Sequence, residues 1–301
     1  MRTKEVIVQL ETSSKGVALK DRVVHQLSHV KVKQHLYMWA KSYIGTTFIL
    51  LYVDGLVIGG EHLVETKKVK SLLIAKFETN DMNKLHYFLG IEVIRTDNNI
   101  LLSQCHYILN LLFKFGMTNH KPISTPLDRN FKLHANFGTP CEPTQFRQII
   151  GSLIYVAITR PNLSYLVSLL NLFMQTPCDA HLNCVKWALR YVSGSLDQRI
   201  FYKAGVAIRL EGYNDANWVV SLSDRQSTSG FVFSLGSGAI SWSSKKQPTI
   251  ALSSTKAEYR GTAITTCEAV WLKWLLKDFN ESNIQPTRNP VFHARTKHIE
   301  V

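Results

Sequence analysis

Acidic residues are scarce in this chain of 301 residues, where 22 Asp and Glu stand against 35 Lys and Arg and give a formal net charge of +13. A charge of that size favours polyanionic partners, nucleic acid first and an acidic membrane surface second. A soluble basic protein with no nucleic-acid role is the simpler alternative, because net charge governs association and solubility and not fold. Hydrophobic residues make up 45% of the chain, which predicts a packed globular protein and excludes wholesale disorder.

Cysteine is also sparse, and its pattern excludes two classes of site. The chain has five cysteines, without a CxxC pair or a Cys/His cluster at zinc spacing, so neither a redox motif nor a structural zinc is indicated. An odd count without a signal peptide predicts a reducing, intracellular location, in the cytoplasm or the nucleus. No apolar run approaches the roughly 20 residues that a membrane-spanning helix needs, so no membrane partner is expected.

The first half of the chain is predicted to be mixed strand and helix. Residues 1–45 are basic and weakly patterned and receive no assignment. Strands are predicted at Thr47 to Val53 and Leu56 to Ile58, because Asp54-Gly55 between two apolar runs is a strong hairpin signal. A helix at Glu61 to Phe77, a strand pair in HYFLGIEVIRTDNNILLSQ and a helix at Tyr107 to Phe115 complete this part.

Four prolines then mark residues 119–143 as a linker. Three helices are predicted after it: Gln145 to Ile158, Asn162 to Met174, and one that has Asp179 as its N-cap and stops at Gly194. Strands follow in RIFYKAG, RLEGYNDANW, SGFVFSLGSGAISWSS and TIALSS, and a long helix runs from Thr255 to about Leu276. Strands followed by a helix indicate an α+β or α/β layer arrangement.

Several of these segments together resemble one family. YVDG, residues 52–55, resembles the YVDD signature of reverse transcriptases of copia-type retrotransposons. Similar segments follow in the family's order, covering about residues 45–301: HYFLGIEV, IIGSLIYVAITRPNLSYLVS, KWALRYVSG, the stretch from GYNDANW to SSTKAEY, and NPVFHARTKHIEV. The resemblance implies an α/β (α+β) fragment of a Pol polyprotein.

The implied organisation has a basic N-terminal segment over residues 1–45 and a partial reverse transcriptase palm and thumb over 46–118. The linker over 119–143 leads into a helical connection over 144–197. A truncated ribonuclease H-like domain, a mixed sheet with helices, occupies 198–301. The implied partners are nucleic acids: an RNA–DNA hybrid, RNA or DNA.

The polymerase site that the resemblance implies is incomplete. In the family, two adjacent aspartates at a hairpin tip and a third from an earlier strand hold two magnesium ions, which clamp the reacting oxygens of phosphoryl transfer. Asp54 matches the first aspartate, whereas Gly55 occupies the second position and offers no ligand. Nothing in residues 1–45 matches the third, so we expect polymerase activity to be lost.

The ribonuclease H site is implied at Asp215, Glu258 and Glu300, with Mg²⁺ or Mn²⁺ as the metal. The family cleaves the RNA strand of a hybrid with carboxylates around two metal ions. Together with Asp54, Asp215 and Glu258 are the implied metal ligands. Alternatives remain: Asp215 also fits a strand end, Thr255-Lys256-Ala257-Glu258 also reads as a helix capping box, and Glu300 lies next to the last residue.

Two departures from the family pattern lower the expected activity. Asn217 stands where a second aspartate is usual, and the segment from Leu276 to Asn289 lacks the strand that carries a further metal-binding aspartate. We therefore expect the domain to fold but to cleave feebly at best. The alternatives are a non-catalytic basic nucleic-acid-binding remnant, suggested by Lys67-Lys68, Lys245-Lys246 and Trp242, and a decayed reading frame whose product has no role.

Overall fold

The computed structural model describes residues 8–12, 30–33, 37–41, 46–52, 55–60, 62–76, 79–128, 133, 138–218, 225–279 and 292–294. The chain divides into two compact units: Met1–Phe88 with Leu275–Glu281, and Leu89–Trp274 with Ser282–Val301. This division reports packing, and the domain boundaries implied by the resemblance stay predictions. Helices and antiparallel sheets occur together, so the predicted α+β class is confirmed.

The first unit is built on a six-stranded sheet in the order β2-β3-β4-β5-β1-β6, in which all neighbouring strands are antiparallel. The elements of this unit are β1 Val8–Thr12, β2 Val30–Lys33, β3 Tyr37–Lys41, β4 Thr46–Tyr52, β5 Gly55–Gly60, α1 Leu63–Lys76, β6 Thr79–Lys84 and β7 Tyr87–Phe88. The helix confirms the one predicted over this region. Strands β1, β2 and β3 lie where the sequence allowed no assignment, because local pattern there is weak and pairing with β4 and β5 decides the structure.

The β4–β5 hairpin has a different turn from the predicted one. Tyr52 pairs with Gly55, so the residues between the strands are 53 and 54, and Gly55 belongs to β5. Ile49 pairs with Ile58, and both side chains are fully buried. A shift of one residue would turn every such side chain to the opposite face of the sheet, so burial of this pair selects the observed register.

The helical part of the second unit surrounds one apolar core. Its elements are β8 Ile91–Thr96, β9 Asn99–Ser103, α2 Cys105–Lys114, α3 Pro143–Val156, the 3₁₀ turn Pro161–Leu163, α4 Ser164–Asn171, α5 Asp179–Ser193 and β10 Ile200–Lys203. Buried side chains recur every three or four residues along α3, at Phe146, Ile149, Ile150, Leu153 and Val156. This spacing places them on one helical face, which packs against α2, α4 and α5.

Three of the predicted helix boundaries need correction. Helix α3 begins at Pro143, inside the predicted linker, because proline suits the first helical position and Glu142 accepts from the N–H groups of Thr144 and Gln145. Helix α4 ends at Asn171 instead of Met174. Asp179 is the first residue of α5 and not its N-cap, which is Cys178; the Asp179 carboxylate instead accepts from the N–H of Thr139 at 3.1 Å.

The predicted linker is attached to α5 over its described residues. The Trp187 indole N–H donates to the carbonyl of Thr125 at 2.9 Å, and Arg190 Nε donates to the carbonyl of Lys121 at 2.8 Å. Ile123 and Leu127 pack against the helical core. Side chains of α5 thus hold the described part of this proline-rich segment as irregular structure on the core.

A four-stranded sheet in this unit combines antiparallel and parallel pairing. Its elements are β11 Leu210–Asn217, β12 Thr228–Leu235, β13 Gly238–Lys246 and β14 Phe292–Ala294, with α6 Ser254–Asp278 between β13 and β14. The strand order is β13-β12-β11-β14, and only the β11–β14 pair is parallel. Neighbouring residues of β13 identify its two faces: Ser241 donates to Glu268 on α6, whereas the Trp242 indole donates to the carbonyl of Ala157 after α3.

The segment TIALSS is not a strand, contrary to the prediction. Strand β13 ends at Lys246, and residues 249–253 form an irregular loop that leads into α6. Arg260 donates to the carbonyls of Thr249 and Ile250 at 2.9 Å each, and the Trp218 indole donates to the carbonyl of Ala251 at 2.9 Å. Side chains from α6 and from the end of β11 therefore take the acceptors that a neighbouring strand would have used.

None of the helices in the described ranges is long and apolar enough to cross a membrane.

Candidate functional site

Strand β11 carries Asp215 close to the point where its parallel partner ends. Residues 210–217 alternate in burial, with Gly212, Asn214 and Ala216 buried and Asp215 exposed on the other face. Among the described residues, strand β14 pairs with Gly212 to Asn214, so the last described pairing lies one residue before Asp215. One residue after Asp215, the N–H of Ala216 donates to the carboxylate of Glu258 on α6.

Helix α6 begins in a way that leaves the Glu258 carboxylate available. The carbonyl of Ser253 accepts the first helical hydrogen bond from Ala257, and the Ser253 hydroxyl accepts from the N–H of Lys256 at 3.2 Å. Ser253 is therefore the N-cap, so the capping-box alternative that begins at Thr255 is wrong. The Glu258 carboxylate accepts instead from the backbone N–H of Ala216 on β11.

A buried polar network fixes the start of α6 on the sheet. The Gln247 side chain, 1% exposed, donates to the Ser229 hydroxyl at 2.7 Å and to the carbonyl of Ala257 at 2.8 Å. One turn further along, a Cβ added at Gly261 would lie 3.2 Å from Ser229 Oγ and 3.3 Å from Ala216 Cβ. A glycine at this crossing therefore lets the helix approach the strands closely, which brings Glu258 to the edge of β11.

A second hydrogen bond ties the middle of β11 to the same helix. Buried Asn214 donates to the Thr262 hydroxyl at 3.0 Å. Within the described residues, the side-chain oxygen of Asn214, Oδ1, has no hydrogen-bond partner. The residue before Asp215 is thus held by α6, so both carboxylates rest on elements whose relative placement is set by buried contacts.

The two carboxylates lie close enough to repel each other. Burial raises the pKa of Glu258 above its ordinary value, and the negative charge of Asp215 raises it further, against the opposing effect of the Ala216 N–H. Two neighbouring carboxyl groups relieve such repulsion by holding a proton or by binding a cation. The sequence-predicted pair Asp215 and Glu258 therefore forms one acidic site, although the residues are far apart along the chain.

Within the described residues, the two carboxylates are enough ligands for one hydrated divalent ion but not for the implied pair. Mg²⁺ is commonly bound by one or two carboxylates, with waters and substrate phosphates completing its shell. Across the described part of the chain, no group of three or more His, Cys, Asp or Glu side chains is arranged to hold a metal. Asn217 contributes no carboxylate, and the paired residues of β14 are Phe292, His293 and Ala294.

The other predicted site residues lie outside the described residues. This applies to Asp54, between β4 and β5, and to Glu300 near the end of the chain. Their roles as ligands stay predictions.

Replacing Glu258 with glutamine is expected to stabilise the metal-free protein near neutral pH. The pKa of Glu258 is raised in the folded state, so this carboxyl group ionises more easily in the unfolded chain. Ionisation of Glu258 therefore lowers the free energy of unfolding as pH rises through the unfolded-state pKa and then the folded-state pKa. Glu258→Gln removes this penalty, and we expect a melting temperature a few degrees higher at pH 8 in EDTA, with no difference at pH 3. Thermal melts over this pH range measure it.

The matched control is Glu211→Gln, on the exposed side of the same strand, and no stability change is expected from it. Added Mn²⁺ is expected to raise the melting temperature of the parent and of the control but not that of Glu258→Gln. An equal Mn²⁺ response in all three proteins would contradict the two-carboxylate site.

Sequence reasoning missed the residues that build this site. Gln247, Asn214 and Gly261 carry no motif of their own, and their neighbours in sequence do not reveal what they contact. The only sequence signals are indirect: a polar residue at an alternating inward position of a strand, and a glycine inside a long helical pattern.

The comparisons with known proteins agree with the order of the motifs. Residues 17–129 match the family Reverse transcriptase (RNA-dependent DNA polymerase). The chain is 41% identical over 266 residues to the Retrovirus-related Pol polyprotein from transposon RE2 of Arabidopsis thaliana, covering 84% of this chain and 18% of the polyprotein. It is 32% identical over 308 residues to the Pol polyprotein from transposon TNT 1-94 of Nicotiana tabacum, covering 93% of this chain and 23% of that protein.

A shorter relative has a length closer to that of this chain. The putative transposon Ty5-1 protein of Saccharomyces cerevisiae is 31% identical over 230 residues, which cover 75% of this chain and 73% of that protein. By contrast, the chain spans only 18% of the length of the RE2 polyprotein. The match to the polymerase family and the agreement with transposon proteins along most of the chain show that it belongs to the reverse transcriptase family of retrotransposon Pol polyproteins.

Proposed function

We propose that this chain is a Pol fragment that binds nucleic acid and keeps a reduced ribonuclease H-like site, with polymerase activity lost and hybrid cleavage feeble at best. The observation that carries the proposal is the meeting of Asp215 and Glu258 at the edge of β11. Support comes from the sheet order β13-β12-β11-β14, in which an antiparallel meander is followed by α6 and a strand parallel to β11. The reverse transcriptase family itself makes nucleic acid the expected substrate class.

The side chains of the site define what it can do. A bound Mg²⁺ or Mn²⁺ would supply positive charge next to a scissile phosphate and a water of lowered pKa. Asp215 and Glu258 would hold this ion, and the Ala216 N–H would orient the Glu258 carboxylate. Asn217 lies two residues from Asp215 on the same exposed face, where its neutral amide adds no anionic ligand. Because phosphodiester cleavage by two ions requires ligands for both, the reduced set predicts slow cleavage.

A cleavage assay tests the ribonuclease part. The purified chain is incubated with an end-labelled RNA–DNA hybrid and either Mg²⁺ or Mn²⁺. We expect at most slow cutting with Mn²⁺, which Asp215→Asn abolishes and the control Glu211→Gln leaves unchanged. Robust multiple-turnover cutting would refute the proposed weakness of the site, and cutting that survives Asp215→Asn would refute its location.

The polymerase part has its own test. Gly55 begins β5 and has no side chain with which to bind a metal. Gly55→Asp would add one carboxylate but not the further aspartate of the family's site. We expect no primer extension on an RNA template from either the parent or this variant. Incorporation of nucleotides by Gly55→Asp would contradict the proposed loss of polymerase activity.

The alternative is a non-catalytic remnant that only binds nucleic acid. The net charge of +13 favours it. Salt-sensitive, sequence-indifferent binding without any metal-dependent cleavage would establish this alternative. The absence of both binding and cleavage would favour a decayed product with no role.

A further inference from the structure

Helix α6 exposes an apolar surface on the side that faces away from the sheet. Its sheet side is marked by the buried residues Ala257, Ala269 and Leu272. Six exposed side chains form the opposite surface, here called the outer face of α6: Ala263, Ile264, Cys267, Val270, Trp271 and Trp274. A surface helix usually presents polar side chains to solvent, and a contiguous exposed apolar surface marks an interaction site.

The outer face has the spacing of a seam between paired helices. Ala263, Cys267, Val270 and Trp274 follow one another at intervals of four, three and four residues. This heptad spacing keeps one stripe of side chains turned towards a second helix. The residues that directly follow Ala263 and Val270 are also apolar and widen the stripe on one side. Helix α6 therefore carries one stripe for the sheet and a second stripe suited to another helix.

Charged side chains lie away from this seam. Glu268 accepts a hydrogen bond from the Ser241 hydroxyl on β13, which places it on the sheet side. Lys273 precedes Trp274 by one residue and so lies about 100° from it around the helix axis. An uncharged surface with two exposed tryptophans offers nothing to a phosphate backbone and fits an apolar protein partner, in which tryptophan often dominates the binding energy.

The two ends of the seam differ in size, and this difference indicates both the partner and its direction. When two copies are related by a two-fold axis and their helices run antiparallel, Ala263 of each copy faces Trp274 of the other. Cys267 faces Val270 of the other copy in the same way. A large side chain opposite a small one fills the space between helices, whereas a parallel pair would crowd two tryptophans at one end and leave a gap between two alanines at the other.

We infer that the outer face of α6 is a homodimer interface, in which α6 packs antiparallel against α6 of a second copy of this chain. The inference goes beyond the proposed function, because no metal, nucleic acid or cleavage step enters it. A seam of this length is shorter than a standard protein–protein interface, so we expect a dissociation constant in the micromolar range.

Sedimentation velocity over a range of protein concentrations tests the inference with two single variants. Trp274→Ala leaves two alanines at each end contact, and Ala263→Trp places two tryptophans there. We expect each variant to dimerise about a hundredfold more weakly than the parent, because the two-fold axis repeats a loss of about tenfold. The matched control is Phe113→Ala on α2, another exposed aromatic residue, for which no change is expected.

A mixture of the two single variants in equal amounts tests the antiparallel direction. Each end contact of the mixed dimer again joins one tryptophan to one alanine, so we expect the mixture to dimerise nearly as well as the parent. Circular dichroism melts check that the exposed substitutions leave the fold of the monomer unchanged.

Three outcomes would overturn the inference. A parent chain that stays monomeric at all concentrations would leave the outer face to a different occupant. A parent dimer that neither single variant weakens would place the interface elsewhere on the molecule. Weakening in both variants without recovery in their mixture would show that Ala263 and Trp274 do not face each other.

Discussion

Replacing Gly212 with alanine is expected to destabilise the second unit by about 3 kcal/mol. A Cβ built at Gly212 would lie 2.3 Å from Cε1 and 2.8 Å from Cδ1 of Phe233. Phe233 pairs with Gly212 across β11 and β12, is fully buried and packs against Ala269 and Leu272 of α6, so a displaced ring would disturb this packing. Chemical denaturation followed by circular dichroism measures the change in free energy of unfolding.

Gly151→Ala is the matched control for that substitution. Gly151 lies in α3, and a Cβ there meets nothing within 4 Å. Alanine is a better helix former than glycine by about 1 kcal/mol, so this variant is expected to be slightly more stable than the parent.

A double variant distinguishes the steric cause from other effects of the new methyl group. Phe233→Leu removes ring atoms from the contact, and the double variant Gly212→Ala/Phe233→Leu is expected to be more stable than the sum of the two single effects predicts. Strict additivity, or a Gly212→Ala variant within about 0.5 kcal/mol of the parent, would show that the ring contact is not the cause.

Replacing Gln247 with methionine is expected to cost about 2 kcal/mol and to weaken the acidic site as well. Methionine has a similar length but no donor, so the Ser229 hydroxyl and the buried carbonyl of Ala257 would each lose a hydrogen bond. Because Ala257 directly precedes Glu258, loss of the hydrogen bond to its carbonyl also makes the position of the Glu258 carboxylate less fixed. We therefore expect a lower free energy of unfolding together with a smaller stabilisation by Mn²⁺.

The control is Gln148→Met, on the exposed surface of α3, which is expected to change stability by less than about 0.5 kcal/mol. If Gln247→Met unfolds normally but keeps the full Mn²⁺ response, Gln247 supports the sheet without positioning Glu258. That result would separate its structural role from its role at the site.

Residues that repeat with a local period were well predicted from sequence. The helix α1 and the apolar face of α3 follow from side chains spaced at three and four residues. Both are predictable because side chains at this spacing lie on one face of a helix. Elements that depend on distant partners were less predictable: the loop at residues 249–253 has a strand-like pattern, but Arg260 and Trp218 take its carbonyl groups.

The candidate site was likewise only partly predictable from the sequence. Asp215 and Glu258 were identified from motifs that resemble a family, but their proximity could not be read from the sequence. The choice between metal ligand and helix cap for Glu258 depended on which residue caps α6, and Ser253 does so. Gln247 and Gly261 had no recognisable signal, since their importance lies in what they contact.

By itself, the sequence determined the charge of the chain, its α+β character, its family and the identity of the two acidic residues. These properties follow from side-chain chemistry and local period, which each segment carries without its neighbours. Only the tertiary structure decided that the two carboxylates meet and that Tyr52 of β4 pairs with Gly55 of β5. Those outcomes depend on strand register and on a close helix–sheet crossing, and both are selected by burial of residues far apart in the chain.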